Sequence, residues 1–234
     1  MNFKLFIAAC AAVLLISPAL AQESDAEDEA NLAKQLANPV AALISVPIQM
    51  NYDSNFGPDD VPFEGYSEFG LGDTVQSFFF SPQAPTSSGW IWGAGPVLLA
   101  PTATDEFLGS KKWGIGPTGV ALKQSGPWTY GALANHIESV AGDSDRADIS
   151  ATFLQPFLTY VTPQQTTYAI NTESTYDWET RDWAVPINVT AAQLLRIGDQ
   201  LVQIGGGVRY WVTAPNGGPE GWGLRLQFTL LYPR

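Results

Sequence analysis

The chain ends in GWGLRLQFTLLYPR, Gly221–Arg234, and alternate residues of this stretch differ sharply in chemistry. Trp222, Leu224, Leu226, Phe228, Leu230 and Tyr232 make one face; Gly223, Arg225, Gln227 and Thr229 make the other. A period of two belongs to a β-strand. The fold turns on which face meets the protein interior and what medium meets the other.

Upstream, the same pattern recurs. Candidate strands lie near 40–52, 73–82, 89–101, 112–123, 127–140, 148–161, 166–178, 182–195, 200–213 and 221–232, ten in all. In the first, Ile44, Val46, Ile48, Met50 and Tyr52 oppose Ser45, Pro47, Gln49 and Asn51. In the seventh, Tyr168, Ile170, Tyr176 and Trp178 oppose Asn171, Glu173, Thr175 and Asp177. The ninth sets Val202, Ile204, Val208, Tyr210 and Val212 against Gln203, Gly205, Gly207 and Arg209. Glycines and prolines around Gly114–Gly119 predict bulges that shift the phase.

Connections tend to alternate between short (125–126, 162–165, 197–199) and long, polar and acidic (53–72, 102–111, 142–147, 214–220), with 82–88, slightly long, and 179–181, short, blurring the pattern. In an up-and-down barrel, alternate connections lie at the same end. Aromatic residues sort the same way. Trp90, Trp92, Trp128 and Tyr232 border the tight-turn end; Trp113, Trp178, Trp183, Trp211 and Trp222 border the loop end. Two such belts are what two membrane–water interfaces select. The polar faces carry Asn, Gln, Thr, Ser and Gly with few charges, as a narrow lumen requires. These features predict an all-β fold, an antiparallel up-and-down transmembrane β-barrel of about ten strands. A soluble β-sandwich or a lipocalin-like barrel, with the apolar face inward, is the competing architecture.

The N-terminus places Lys4 before an apolar run, Leu5–Ile16, and Ala19-Leu20-Ala21 before Gln22. This predicts a cleaved signal peptide over 1–21. Residues 22–38 are acidic and weakly helical, and are expected to form a mobile periplasmic extension; the barrel then occupies 39–234. Cys10 is the sole cysteine, so the mature chain has no disulfide. With Asp plus Glu at 23 against Lys plus Arg at 11, the acidic balance argues against a nucleic-acid partner.

Several stretches carry a wider resemblance: NPVAALISVPIQMNYDSNFGP (38–58), GLGDTVQSFFFSPQAPTSSGWIWGAGPVLLAPTATD (70–105), the run from Trp113 to Tyr160, NTESTYDWE (171–179) and GGGVRYWVTAPNGGPEGWGLRLQFTLLYP (205–233). They resemble a bacterial outer-membrane family named for a MetA pathway of phenol degradation, whose members are often labelled transporter or neuromedin U. The resemblance implies an outer-membrane barrel linked to uptake of hydrophobic or aromatic compounds, and brings no catalytic residues. Relatives run longer where this chain has only Asp59–Phe69. The missing length matches two spanning strands and a turn, at about 9–11 residues per strand.

Folding the last hairpin symmetrically about Gly217-Gly218 sets Arg209 opposite Arg225 on the polar face. Like charges across a strand pair repel and need carboxylates nearby. Glu173 and Asp177 are the expected partners. The resulting lumen cluster reads either as a structural ion network or as a selectivity constriction. Gln49, Asn171, Asn188, Gln203 and Gln227 complete the polar lining. His136, the single histidine, can be read as a general base with Asp143 or Asp145, or as an interfacial polar residue without a positioned nucleophile. Acidic Gly142–Asp145 lacks the closing Glu of a calcium loop, and one His without Cys makes no nitrogen–sulfur metal cage.

The expected protein is therefore a non-enzymatic barrel of the bacterial outer membrane, with both barrel termini periplasmic. It needs no cofactor or metal. Its partners are outer-membrane lipid, the barrel-assembly machinery and a small solute the sequence does not name. It is read as a passive channel or transporter for small solutes, hydrophobic or aromatic ones included; the alternative is a structural barrel whose lumen its own side chains fill.

Overall fold

The structure, a computed structural model, describes residues 5–7, 32–36, 38–40, 44–53, 71–104 and 109–232. The expected cleavage site, the acidic residues 22–31 and the shortened 59–69 region lie outside the described residues.

The described strands are β1 (Leu5–Ile7), β2 (Ile44–Asp53), β3 (Thr74–Ser77), β4 (Trp90–Ala100), β5 (Lys112–Ser125), β6 (Trp128–Gly142), β7 (Ser150–Val161), β8 (Thr166–Thr172), β9 (Ser174–Asp177), β10 (Asp182–Ile197), β11 (Gln200–Thr213) and β12 (Gly221–Tyr232). They form one antiparallel meander in the order β1-β2-β12-β11-β10-β8-β7-β6-β5-β4-β3. β8 and β9 are two halves of one traverse interrupted at Glu173, since both pair with β7 and with β10. Counted so, β2 to β12 make ten traverses, one for each strand segment expected from the sequence. Leu5–Ile7, inside the expected signal peptide, lies along the free edge of β2.

The C-terminal strand closes on the first traverse. Tyr232 pairs with Ile44 and Leu224 with Tyr52. At the tight-turn end Val40, just ahead of β2, lies against Gly93 of β4, so the two ends of the ladder approach each other and the sheet curls. The β10–β11 connection shows why the turns stay tight. Ile197 pairs with Gln200, leaving Gly198 and Asp199 as a two-residue turn with Gly198 at φ +61°, a backbone region open to glycine without penalty. The expected bulge falls at Trp113/Gly114, where the β5–β6 register shifts.

The opening stretch now has its orientation. Trp222 is 64% exposed and Leu226 60%, while Arg225 is 2% exposed and Thr229 is buried. The apolar face points outward and the polar face inward, the reverse of a soluble barrel. Ile48, Met50, Leu154, Leu158, Ile170, Val189, Val208 and Tyr210 repeat this around the barrel. The fold is thus a transmembrane β-barrel.

The lumen is packed in layers. Leu122, Val161, Leu194, Leu201 and Leu231 are buried toward the tight-turn end. A helical turn, residues 32–36, docks among them. Ala33 is 0% exposed against Val161, Leu194, Leu201 and Leu231, with Leu32 and Leu36 packed beside it, and Gln124 of β5 donates to the Lys34 carbonyl at 2.9 Å. This part of the extension is therefore docked, not mobile as the sequence suggested, because its few apolar residues share one helical face that fits the mouth. Toward the loop end, Val97, Leu99 and Ile137 pack with Val75 and Ile149. Polar residues occupy the wall between these clusters.

Candidate functional site in the lumen

The β11–β12 hairpin turns one step earlier than a symmetric fold about Gly217-Gly218 requires. Gly218 donates to the Pro215 carbonyl at 2.8 Å and Gly217 takes φ +79°, a β-turn whose third residue needs positive φ. Trp211 consequently pairs with Gly221, Arg209 with Gly223 and Arg225 with Gly207. The two arginines are staggered, each facing a glycine, and not directly opposed as the sequence suggested.

Both guanidiniums converge on Glu173. Arg225 grips it in a two-point fork, Nη1 to Oε1 at 2.8 Å and Nη2 to Oε2 at 2.6 Å, and Arg209 Nη2 donates to the same Oε2 at 3.0 Å. The strand break between β8 and β9 places Glu173 at this level, its own N–H reaching the Pro186 carbonyl at 3.4 Å. Arg209 also meets Asp53 at 3.4 Å, Trp211 Nε1 donates to Asp53 at 2.9 Å, and Arg225 Nε donates to Asn51 at 2.9 Å. The Arg209 guanidinium carbon stands 4.7 Å from the Trp211 ring centroid, a cation–π contact. Two arginines balance two carboxylates, so buried charge is compensated.

Asp177 does not join this group. It lies on the lumen-facing parity of β9, but its Oδ1 accepts from the N–H groups of Glu179 and Thr180, so it is committed to its own turn. Asp53 takes the place expected for it. The sequence reading left Asp53 in a loop, although it extends the Gln49–Asn51 alternation by one step. Trp211, expected in the loop-end belt, instead faces the lumen; its parity with Arg209 carried that signal. Gly223 makes the Asp53 contact possible, since a Cβ there would stand 2.5 Å from Asp53 Oδ1.

The other polar residues line the same wall. Asn188 is fully buried and donates to Asn171 Oδ1 at 2.8 Å. Gln203 reaches Thr167 Oγ1 at 3.4 Å, and Gln49 reaches Asn51 Oδ1 at 3.4 Å. Gln227 pairs in register with Gln49. The belt residues Trp90, Trp92, Trp128 and Tyr232 at one end, and Trp113, Trp178, Trp183 and Trp222 at the other, are all exposed. Trp128 packs on Tyr160 with ring centroids 4.7 Å apart, and Tyr210 on Trp222 at 5.0 Å. Phe78 and Phe80 are exposed as well.

His136 does not meet Asp143 or Asp145. Asp143 accepts from the Asp145 N–H at 2.9 Å, a local turn, while His136 bonds Thr152 and Glu138 on the outer surface. Among the described residues no group of three or more His, Cys, Asp or Glu is arranged to hold a metal ion. At the loop end Lys112 is buried and pairs with Asp148 at 2.8 Å. The hydrogen bond from Lys112, then that from Ser139 and the Lys112 charge, hold the Asp148 carboxyl below the usual carboxylate range.

An apolar exterior, two aromatic belts and an ion-paired polar interior define a membrane-spanning barrel with a constricted lumen. No family model matches the chain, and no curated protein matches it. Among solved structures it is similar to the COG4313 outer membrane channel from Pseudomonas putida F1, with 19% identity and a TM-score of 0.57 over 82% of this chain and 79% of that one. At that identity the likeness bears on the fold.

Proposed function

We propose that this protein is a passive outer-membrane channel for small solutes, with the Arg209–Arg225–Glu173–Asp53 network as its constriction. The single observation that carries the reading is this network: four ionised groups held across a narrow lumen in a barrel with an apolar exterior. Ring charges of this kind select permeant solutes. The similar fold of an outer membrane channel supports it. So does the resemblance to the phenol-degradation outer-membrane family, which adds hydrophobic or aromatic compounds to the solutes worth testing. In this reading 1–21 is a signal peptide and the tight-turn end, with both barrel termini, is periplasmic.

The docked 32–36 turn and the two apolar clusters favour a second reading, a barrel whose lumen is filled. Liposome swelling separates the two. Refolded mature chain is assayed with graded sugars and with phenol, beside a chain lacking residues 22–38. A channel gives solute-dependent swelling that increases when the segment is removed. A filled structural barrel gives none with either chain.

A further inference from the structure

We propose a second, chemical site on the outside of the barrel: Thr152, His136 and Glu138 form a hydroxyl–imidazole–carboxylate relay suited to hydrolysing acyl esters of membrane lipid. Thr152 Oγ1 lies 2.8 Å from His136 Nδ1, and His136 Nε2 lies 2.8 Å from Glu138 Oε1. His136 and Thr152 are register partners on β6 and β7, and Glu138 pairs with Ser150 one step further toward the loops. Ser150 Oγ donates to the same carboxylate at 2.7 Å and Trp178 Nε1 donates to Thr152 Oγ1 at 2.9 Å.

With His136 as a neutral imidazole, the donor inventory sets the sense of each bond. A carboxylate only accepts, so Nε2 carries the proton of a neutral imidazole and Nδ1 is the acceptor. An indole N–H only donates, so Thr152 accepts from Trp178 and offers its own proton to Nδ1. That is the order of roles in which a base activates a hydroxyl and a carboxylate orients the base. The three side chains share parity with exposed Leu154, Leu158 and Tyr130, so they face outward. Their level is that of Trp178, in the loop-end belt, where the ester linkages of a lipid leaflet lie. Ionisable groups on a lipid face are costly, and in membrane proteins they mark function. The inference rests on the reading that this face meets lipid.

The chemistry balances with water as the co-reactant. Thr152 Oγ bonds to the ester carbonyl carbon as its proton passes to His136 Nδ1. The carbonyl re-forms, the C–O bond to the glycerol oxygen breaks, and that oxygen leaves with the proton from Nδ1. Water, losing a proton to Nδ1, then attacks the acyl-threonine; Thr152 recovers its proton and a fatty acid departs. Trp178 Nε1–H bonds the attacking oxygen itself and orients it. None of these contacts aims a donor at the developing oxyanion, so turnover is slow.

The test uses refolded mature chain in mixed micelles of detergent with phosphatidylethanolamine and phosphatidylglycerol. Fatty-acid release is followed, and a long-chain alkyl fluorophosphonate is mapped by peptide mass spectrometry. Release is expected, with the adduct on Thr152. Thr152→Val abolishes both, and Thr152→Ser retains them. His136→Ala lowers the rate at least about 100-fold, and Glu138→Gln lowers kcat with KM unchanged. Heat-modifiable gel migration reports folding, and Thr152→Val keeps the wild-type conductance, which separates this site from the lumen. Release no greater than from Thr152→Val, or an adduct mapped to another residue, overturns the proposal.

Discussion

Glu173→Gln is the sharpest perturbation of the lumen. The carboxylate takes three guanidinium hydrogen bonds, two of them on Oε2. The amide keeps one acceptor oxygen for Arg225 Nη1 and turns an N–H₂ group toward two further donors. Arg225 is 2% exposed and then keeps that oxygen and Asn51 as its acceptors, with Nη2 left unpaired. Breaking a buried pair by removing one partner costs about 3–5 kcal/mol. The retained bond and the Arg209–Asp53 contact place this variant at the lower end, about 3 kcal/mol. The assay is reversible urea unfolding in phosphocholine vesicles, followed by tryptophan fluorescence and gel migration. Adding Arg225→Met removes the stranded charge, so the double variant loses less than the sum of the singles by about 1–3 kcal/mol. A loss under about 1 kcal/mol for Glu173→Gln, with additive singles, refutes a buried and coupled network.

Other predictions follow from the same geometry. Leu226→Arg puts a charge on the outward band and costs about 2–4 kcal/mol in a bilayer if it sits near the midplane; an unchanged unfolding midpoint in vesicles contradicts the lipid-facing assignment. Gly223→Ala forces Asp53 off its partners and costs about 1–3 kcal/mol, read as a lowered midpoint with altered Trp211 fluorescence. Ala33→Glu expels the 32–36 turn and raises liposome permeability, whereas Ala33→Ser leaves it unchanged. Because the Asp148 carboxyl is held below its usual range, its contribution is full at neutral pH and is lost as pH falls through its folded value. Amide protection factors at Ser139 and Ile149, which bond each other across this loop, fall on acidification once the intrinsic exchange rate is divided out, and Asp148→Asn flattens that response.

The strand alternation was legible because each traverse is apolar on one face and polar on the other, and a period of two survives without tertiary information. Arg209, Arg225 and Glu173 were legible for the same reason, as charges on an otherwise uncharged face. Asp177 failed because parity says which side a residue faces but not whether its turn has already claimed the carboxylate. The stagger of the arginines depended on one step in a hairpin register, set by the positive φ of Gly217. Asp53 needed only the alternation carried one residue past the assumed strand end, and Trp211 only its parity with Arg209 inside the expected strand. The outer-face relay was hidden because Thr152 and Ser150 of β7 meet His136 and Glu138 of β6 only through the register of two long strands.

The most direct measurement is the single-channel current of the refolded mature chain in planar bilayers, compared with the Arg209→Ala/Arg225→Ala variant. A barrel with a charged constriction gives stepwise conductance, and removing both arginines shifts its ion selectivity toward cations. Conductance with the same selectivity in both proteins, or no current from either, contradicts a channel constricted by this network.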